Sequence, residues 1–280
     1  MTATTRFTES DMKAFEPSEK VGIIATVTPE GLPHLSLLTS VMAAAPDQLI
    51  VGEFCKGLSK TYMQQTRKVG FAVLTLDKKL WRGKALWTHA LNEGPEYEVY
   101  NKQPMFRYNT YFGINTVHYF DLVETTPGGP LPLGSIVLSA LATKAAKSAA
   151  AINRKKVLTH FGERLFNALD ALKFLSFIDA DGYPVVCPLI QCQAADSGRL
   201  AFHPGAGHET LSALKPGSTV AVFALTMQME DVLARGIFNG CKRFRGISLG
   251  TIDLNWVYNS MPPNHGQIYP PVALEPVVNF

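Results

Sequence analysis

Gly31 and Pro33 in the stretch TPEGLPHLSLL return as Gly182 and Pro184 in DADGYPVVCPLI, 151 residues later in both cases. The same interval carries Leu38 to Leu189, Leu49 to Leu200, Val69 to Val220 and Leu74 to Leu225 without a gap. Beyond a loop of changed length, Arg82-Gly83 is matched to Arg235-Gly236 at an interval of 153. A register kept over that span implies that one unit of fold is present twice. The chain has 280 residues, which is ample for two domains of about 100 to 150 residues each, and a unit of that size closes its own core. Two similar domains are therefore expected rather than a solenoid.

Within the first copy, Gly22 to Val27 is apolar and β-branched, and the PEG turn at 29 to 31 supplies proline's fixed φ and glycine's tolerance of positive φ. His34 to Ser40 and Gln48 to Glu53 read as the next two strands. Ser59 to Lys68 has helical spacing of Tyr62, Met63 and Thr66, with Ser59 as a candidate N-cap. Val69 to Leu76, Ala85 to Asn92 and Thr116 to Glu124 complete a set of six antiparallel strands, mainly β with few helices. Such a set favours a small closed barrel, because closure removes exposed sheet edges.

Between the copies, TTPGGPLPLG breaks regular structure. SIVLSALATKAAKSAAAI then reads as a helix with Ile136, Ala140 and Thr143 near one face, and a second helix is expected over residues 156 to 172. The prolines, aromatics and His265 after Asn255 suggest an extended strap.

Net charge is +3, from 26 basic and 23 acidic side chains, too small for a nucleic-acid protein with a concentrated basic face. No apolar run approaches the roughly 20 residues of a membrane span. The reading is of a soluble, cytoplasmic protein. Cys55, Cys187, Cys192 and Cys241 show no disulfide framework or paired CxxC spacing, and the seven histidines show no HExxH, so no metal is expected. Neither a GxSxG, a Cys-His pair nor a Walker-type loop is present, and the sequence names no catalytic residue.

The order of these elements resembles the FMN-binding split barrel of pyridoxamine 5'-phosphate oxidase-like and flavin-reductase-like proteins. ATVTPEGLPHLSLLTS looks like the opening hairpin of that class, LIVGEFCKGLSKTYMQQTRKVGFAVL like its phosphate-binding strand, loop and helix, and NTVHYFDLVE like its closing strand. The resemblance covers residues 20 to 124 well and 170 to 257 more weakly. It implies two tandem six-stranded split β-barrels. Residues 1–125 form the FMN-binding barrel, 126–170 a helical linker, 171–257 a second, degenerate barrel, and 258–280 an extended tail.

By this resemblance the cofactor is FMN. Lys56, Leu58, Ser59, Lys60 and Thr61 would cradle its dianionic phosphate with ammonium groups, hydroxyls and the N–H groups of a helix start; solvated charges at a helix start are the other reading of Lys56 and Lys60. Ser36, Leu37, Thr39 and Ser40 would lie along the flavin; core-facing hydroxyls are the other reading of Ser36 and Thr39. In the second copy Lys56 becomes Gly207, Leu58 becomes Glu209 and Lys60 becomes Leu211, so its cradle is expected to be lost. His203, His208 and Arg235 are candidates to face the first copy's ligand. The aromatic insertion at 95–115 is a candidate substrate wall or simply core. The class implies an oxidoreductase or flavin reductase with a small-molecule redox substrate or electron donor, as a homodimer or an intramolecular pseudo-dimer. A noncatalytic flavin- or haem-binding storage or sensor protein is the alternative.

Overall fold

A computed structural model describes residues 3–54, 57–102, 113–153, 156–260 and 265–273, with the side chain of His208 left aside. Two compact units divide the chain: Met1–Pro132 with Ser176–Cys187, and Leu133–Leu175 with Pro188–Phe280. The chain is mainly β, as two antiparallel sheets.

The first copy opens with helix α1 (Glu9–Phe15), followed by strands β1 (Lys20–Val27), β2 (Pro33–Leu37), β3 (Met42–Ala45) and β4 (Gln48–Glu53). Helix α2 (Leu58–Thr66), β5 (Lys68–Thr75), β6 (Lys79–Leu91), α3 (Pro95–Lys102), β7 (Thr116–Thr125) and β8 (Gly129–Pro130) complete it. The sheet runs β2-β1-β5-β6-β7-β4-β3, with β8 added to β6. Its two end strands, β2 and β3, are consecutive in sequence yet are not paired. They are joined by a turn in which the Leu38 N–H donates to Gly22 O. The sheet therefore curls round on itself and stays split along one seam. Inside it pack Ile24, Leu49, Val51, Val69, Phe71, Val73, Phe120 and Met63, the last from α2.

The second copy follows helix α4 (Leu133–Ala146) and a 3-10 turn (Lys147–Ala150). It comprises α5 (His160–Asn167), β9 (Leu172–Ile178), β10 (Pro184–Pro188), β11 (Gln193–Asp196), β12 (Arg199–Phe202), α6 (His208–Leu211), β13 (Thr219–Leu225), β14 (Asp231–Phe244), β15 (Ile247–Asn259) and β16 (Gly266–Tyr269). Its sheet runs β10-β9-β13-β14-β15-β12-β11, the same order strand for strand. Gly31 and Gly182 both sit at positive φ in their hairpin turns, at 77° and 79°, which is why glycine recurs there. Six strands per barrel were expected and eight are present. The small side chains of Met42–Ala45 hide β3 in the sequence, and each barrel gains a short added strand, β8 or β16.

Pairing corrects the expected match of Arg82-Gly83 with Arg235-Gly236. Val69 pairs with Ala85 and Val220 with Gly236, so Lys84-Ala85 is the true counterpart of Arg235-Gly236 and the interval stays at 151. A β-bulge falls at this same step in both copies. The repeat also begins earlier than the sequence showed. The helix expected over 156–172 is the shorter α5, which matches α1 at the same interval. Thr8 caps α1 by accepting from the Asp11 N–H, and Thr159 caps α5 by accepting from the Gly162 N–H. Phe15 and Phe166 are both fully buried.

The copies differ in how the outer face of their β4/β7-type strands is covered. In the first, the long β6–β7 connection carries α3, whose Tyr100 packs with Ile50, Ile114 and Val117. In the second, β14 and β15 are joined by only Arg245 and Gly246, both at positive φ as in a type I′ hairpin. The equivalents of Ile50 and Val117 are there Ala201 and Leu249. They pack under Ala146 and Ala150, supplied by α4 and the 3-10 turn. The expected strap is in part β16, which pairs with β15; residues 274–280 lie outside the described residues.

Candidate functional site

The first barrel's β4 delivers the chain to the start of α2. Gly57, not Ser59, is the N-cap, and no side chain caps the helix. Nor does its first turn hold an acidic residue, and of its amide groups that of Lys60 donates to Gly57 O at 3.1 Å. Among the described residues, a Cβ built on Gly57 would come within 4.0 Å of Lys60 Nζ alone. The described residues thus place an ammonium group beside the helix start. The side chain of Lys60 is almost wholly buried, and its Nζ stands 5.9 Å from the ring centroid of Phe54.

Behind Lys60, Ser59 turns inward and its Oγ lies 2.5 Å from Ser36 Oγ on β2, in a buried hydroxyl pair. Ser36 is thereby held, buried, against the start of α2. Ser40 is also a strut: its Oγ donates to Gly52 O at 2.7 Å, and its own carbonyl accepts from Tyr100 OH. Burial raises the Tyr100 phenol well above its ordinary range, which keeps it a donor. Leu37, Thr39 and Leu58 are half-buried, and Thr61 is exposed. Ser36, Ser59 and Lys60 thus gather at the helix start, while Ser40 serves the turn between β2 and β3. Lys56 lies outside the described residues, as does the part of the aromatic insertion at 103–112.

Sequence reasoning missed Gly57 and Phe54, and also a buried chain of polar side chains beside them. Trp87 Nε1 donates to His118 Nδ1 at 3.2 Å, and His118 Nε2 lies 2.7 Å from Glu53 Oε2. Only strand register brings residues 53, 87 and 118 together, so no local motif signals them.

The corresponding end of the second barrel is built differently. α6 has four residues where α2 has nine, and Glu209 stands in its first turn. The loop before it is held by α4: Thr143 Oγ1 accepts from the His203 N–H at 2.8 Å, and Ser135 Oγ donates to Gly205 O. His203 Nδ1 accepts from the Gly205 N–H at 3.1 Å and lies 3.3 Å from Ser139 Oγ. Gln191 Nε2 reaches His203 O and Ala206 O. Lysine is absent from the described part of this loop, and its backbone is already bonded within its own unit. Among the described residues no cluster of three His, Cys, Asp or Glu could hold a metal ion, and no helix is long and apolar enough to cross a membrane.

A sheet whose consecutive end strands stay unpaired, with a short helix leading back into its core, defines a split β-barrel, here present twice in one chain. Solved structures match it about two fifths of the chain at a time. HupZ of Group A Streptococcus is 18% identical over 42% of this chain and 92% of its own, with a TM-score of 0.36. An FMN-binding protein of Syntrophomonas wolfei is 16% identical over 41% of this chain and 82% of its own, with a TM-score of 0.34. An F420 reductase is 14% identical over 43% of this chain and 98% of its own, with a TM-score of 0.35. Likeness at this level does not carry their ligands or activities over. No protein-family model matches the sequence, and no curated protein matches it.

Proposed function

We propose that the first barrel binds FMN, with the phosphate at the start of α2, and that the protein is an FMN-dependent oxidoreductase or flavin reductase acting on a small-molecule redox partner. The observation that carries this reading is a buried lysine, Lys60, in the first turn of a helix that has no side-chain cap and no acidic residue there. A charge-assisted bond from an ammonium group to a phosphate contributes about 1.5 to 3 kcal/mol. Helix N–H groups add to the same potential. The residues present therefore fit a phosphate dianion.

FMN, when bound, supplies the electron or hydride transfer. The chain's own part is then to hold and orient. Lys60 and the first turn of α2 grip the phosphate, the Ser36–Ser59 pair fixes the helix start against β2, and Ser40 with Tyr100 fixes the adjoining turn. The second barrel, with its loop bonded to α4 and Glu209 at the helix start, is not proposed as a second FMN site.

Titration of the purified protein with FMN and with riboflavin tests this reading, since only FMN carries the phosphate. FMN is expected to bind at least ~10-fold more tightly, and Lys56→Ala with Lys60→Ala to erase that preference. Equal weakening of both ligands would refute the cradle. Reduction of the bound flavin by a nicotinamide donor separates the enzyme from a noncatalytic flavin- or haem-binding protein, whose flavin would stay oxidised.

A further inference from the structure

We propose that Glu53, His118 and Trp87 are positioning residues for Phe54 and the Lys60 ammonium at the start of α2, an inference that rests on the FMN reading above. An indole N–H can only donate, so His118 Nδ1 must accept from Trp87 Nε1, and the imidazole proton sits on Nε2. That proton is given to Glu53 Oε2 at 2.7 Å. The chain is directional, from half-buried Trp87 through His118 to Glu53, and its receiving end is buried: His118 is fully enclosed and Glu53 is 7% exposed.

The fold itself does not call for this arrangement. Strand register places Phe202 where the first barrel has Val51, Phe238 where it has Trp87, and Gly250 where it has His118. At the 151-residue interval Glu53 becomes Pro204. In the second barrel Phe202 and Phe238 stack with centroids 6.0 Å apart, and a Cβ on Gly250 would lie 2.5 Å from Phe202 Cζ. An aromatic ring thus fills the place of the imidazole, and an apolar stack does the packing. Apolar fillings of this kind are commonly as stable as buried polar ones or more so. The polar chain is kept in the barrel that has the lysine cradle and absent from the barrel that lacks it.

Its position says what it does. Glu53 is the last residue of β4, and the loop to Gly57 and Lys60 leaves from it. The Glu53 carbonyl accepts from the Asn115 N–H at 2.9 Å while its carboxylate accepts from His118, so both ends of the residue are fixed. The next residue is Phe54, whose ring lies beneath Lys60 Nζ. Holding Glu53 sets where Phe54 stands, and Phe54 borders the ammonium group that would meet the phosphate.

The test is the ratio of FMN to riboflavin affinity, which general structural damage would leave alone by weakening both. In Glu53→Gln the amide oxygen still accepts from His118, so the wild-type ratio is expected. Glu53→Leu is expected to lower the ratio about fivefold or more through FMN alone, about 1 kcal/mol by the affinity relation. Should Glu53→Leu not fold, Val51→Phe, Trp87→Phe and His118→Gly combined with Glu53→Gln rebuild the second barrel's stack and are expected to lower the ratio equally. A folded Glu53→Leu or stacked variant with the wild-type ratio would overturn the inference, as would Glu53→Gln losing as much as Glu53→Leu. A wild-type protein with no preference for FMN would instead overturn the cradle reading, and this inference with it.

Discussion

The two barrels share strand order, hairpin turns and a recurring bulge, yet the ends that their short helices close are made from opposite materials. The first holds an uncapped nine-residue helix, a buried lysine and a chain of polar side chains. The second holds a four-residue helix, a loop bonded to α4 and two stacked phenylalanines. One register pair repeats the contrast on the sheet surface. Lys84 meets Glu124 as an ion pair at 2.8 Å, whereas its counterpart Arg235 lies 3.7 Å from the ring centroid of Trp256. Strand order and turns recur in both copies, while the side chains at the helix-closed ends differ, polar in the first and apolar packing in the second.

Truncating matched core residues tests the equivalence most severely. Phe15→Ala and Phe166→Ala should each cost about 3 to 5 kcal/mol, as deletion of a buried ring does. Hydrogen exchange measured by fragment is expected to show the loss in the first barrel for one and in the second for the other. Exchange rising in both barrels with either variant would break the picture of two cores.

Next in size is the ligand effect that separates the cradles. Lys60→Ala should weaken FMN binding by about 1.5 to 3 kcal/mol, the range of a charge-assisted bond, whereas Leu211→Ala at the matching position should leave it unchanged. Isothermal titration with FMN reads both.

Smaller still are the caps. Thr8→Ala and Thr159→Ala should each cost about 1 kcal/mol in denaturant unfolding. A cost at one threonine alone would show that α1 and α5 are not equivalent parts.

The last prediction concerns pH. Burial holds the Lys173 ammonium down to about 8, and Lys20 likewise to about 8, although the two do not occupy matching positions. The unfolded chain keeps these protons up to about 10.5, so above pH 8 it binds more protons than the folded one and stability rises with pH. Burial pushes the Cys192 thiol up to about 12, so above about pH 9 it works in the opposite direction. Between pH 8 and 9, Lys173→Met should remove about 1 kcal/mol of the rise, read from unfolding midpoints.

Much of the fold was legible because turns leave strong marks. Gly31 and Gly182 must adopt positive φ, and that requirement preserved the register on which the duplication was recognised. The match of α1 with α5 was hidden because ESDMKAF and HFGERLFN share little beyond the buried phenylalanine, and the capping threonines lie just outside them. Of the site, Lys60 and Ser59 could be named from their place at the start of a helix. The inward turn of Ser36 could not, since it depends on which face of β2 meets α2. Glu53, His118 and Trp87 were out of reach for a further reason: their association exists only after three strands have paired.

The second barrel's cover comes from the segment that joins the copies. Ala146 and Ala150 lie over Ala201 and Leu249, so the stretch from Leu133 to Ala150 is a wall as well as a tether. Its length and sequence are consequently under the demands of packing, and a flexible spacer of the same reach could not replace it without wetting that face. Fusion of the two copies has thereby made the second half dependent on residues that precede its own repeat.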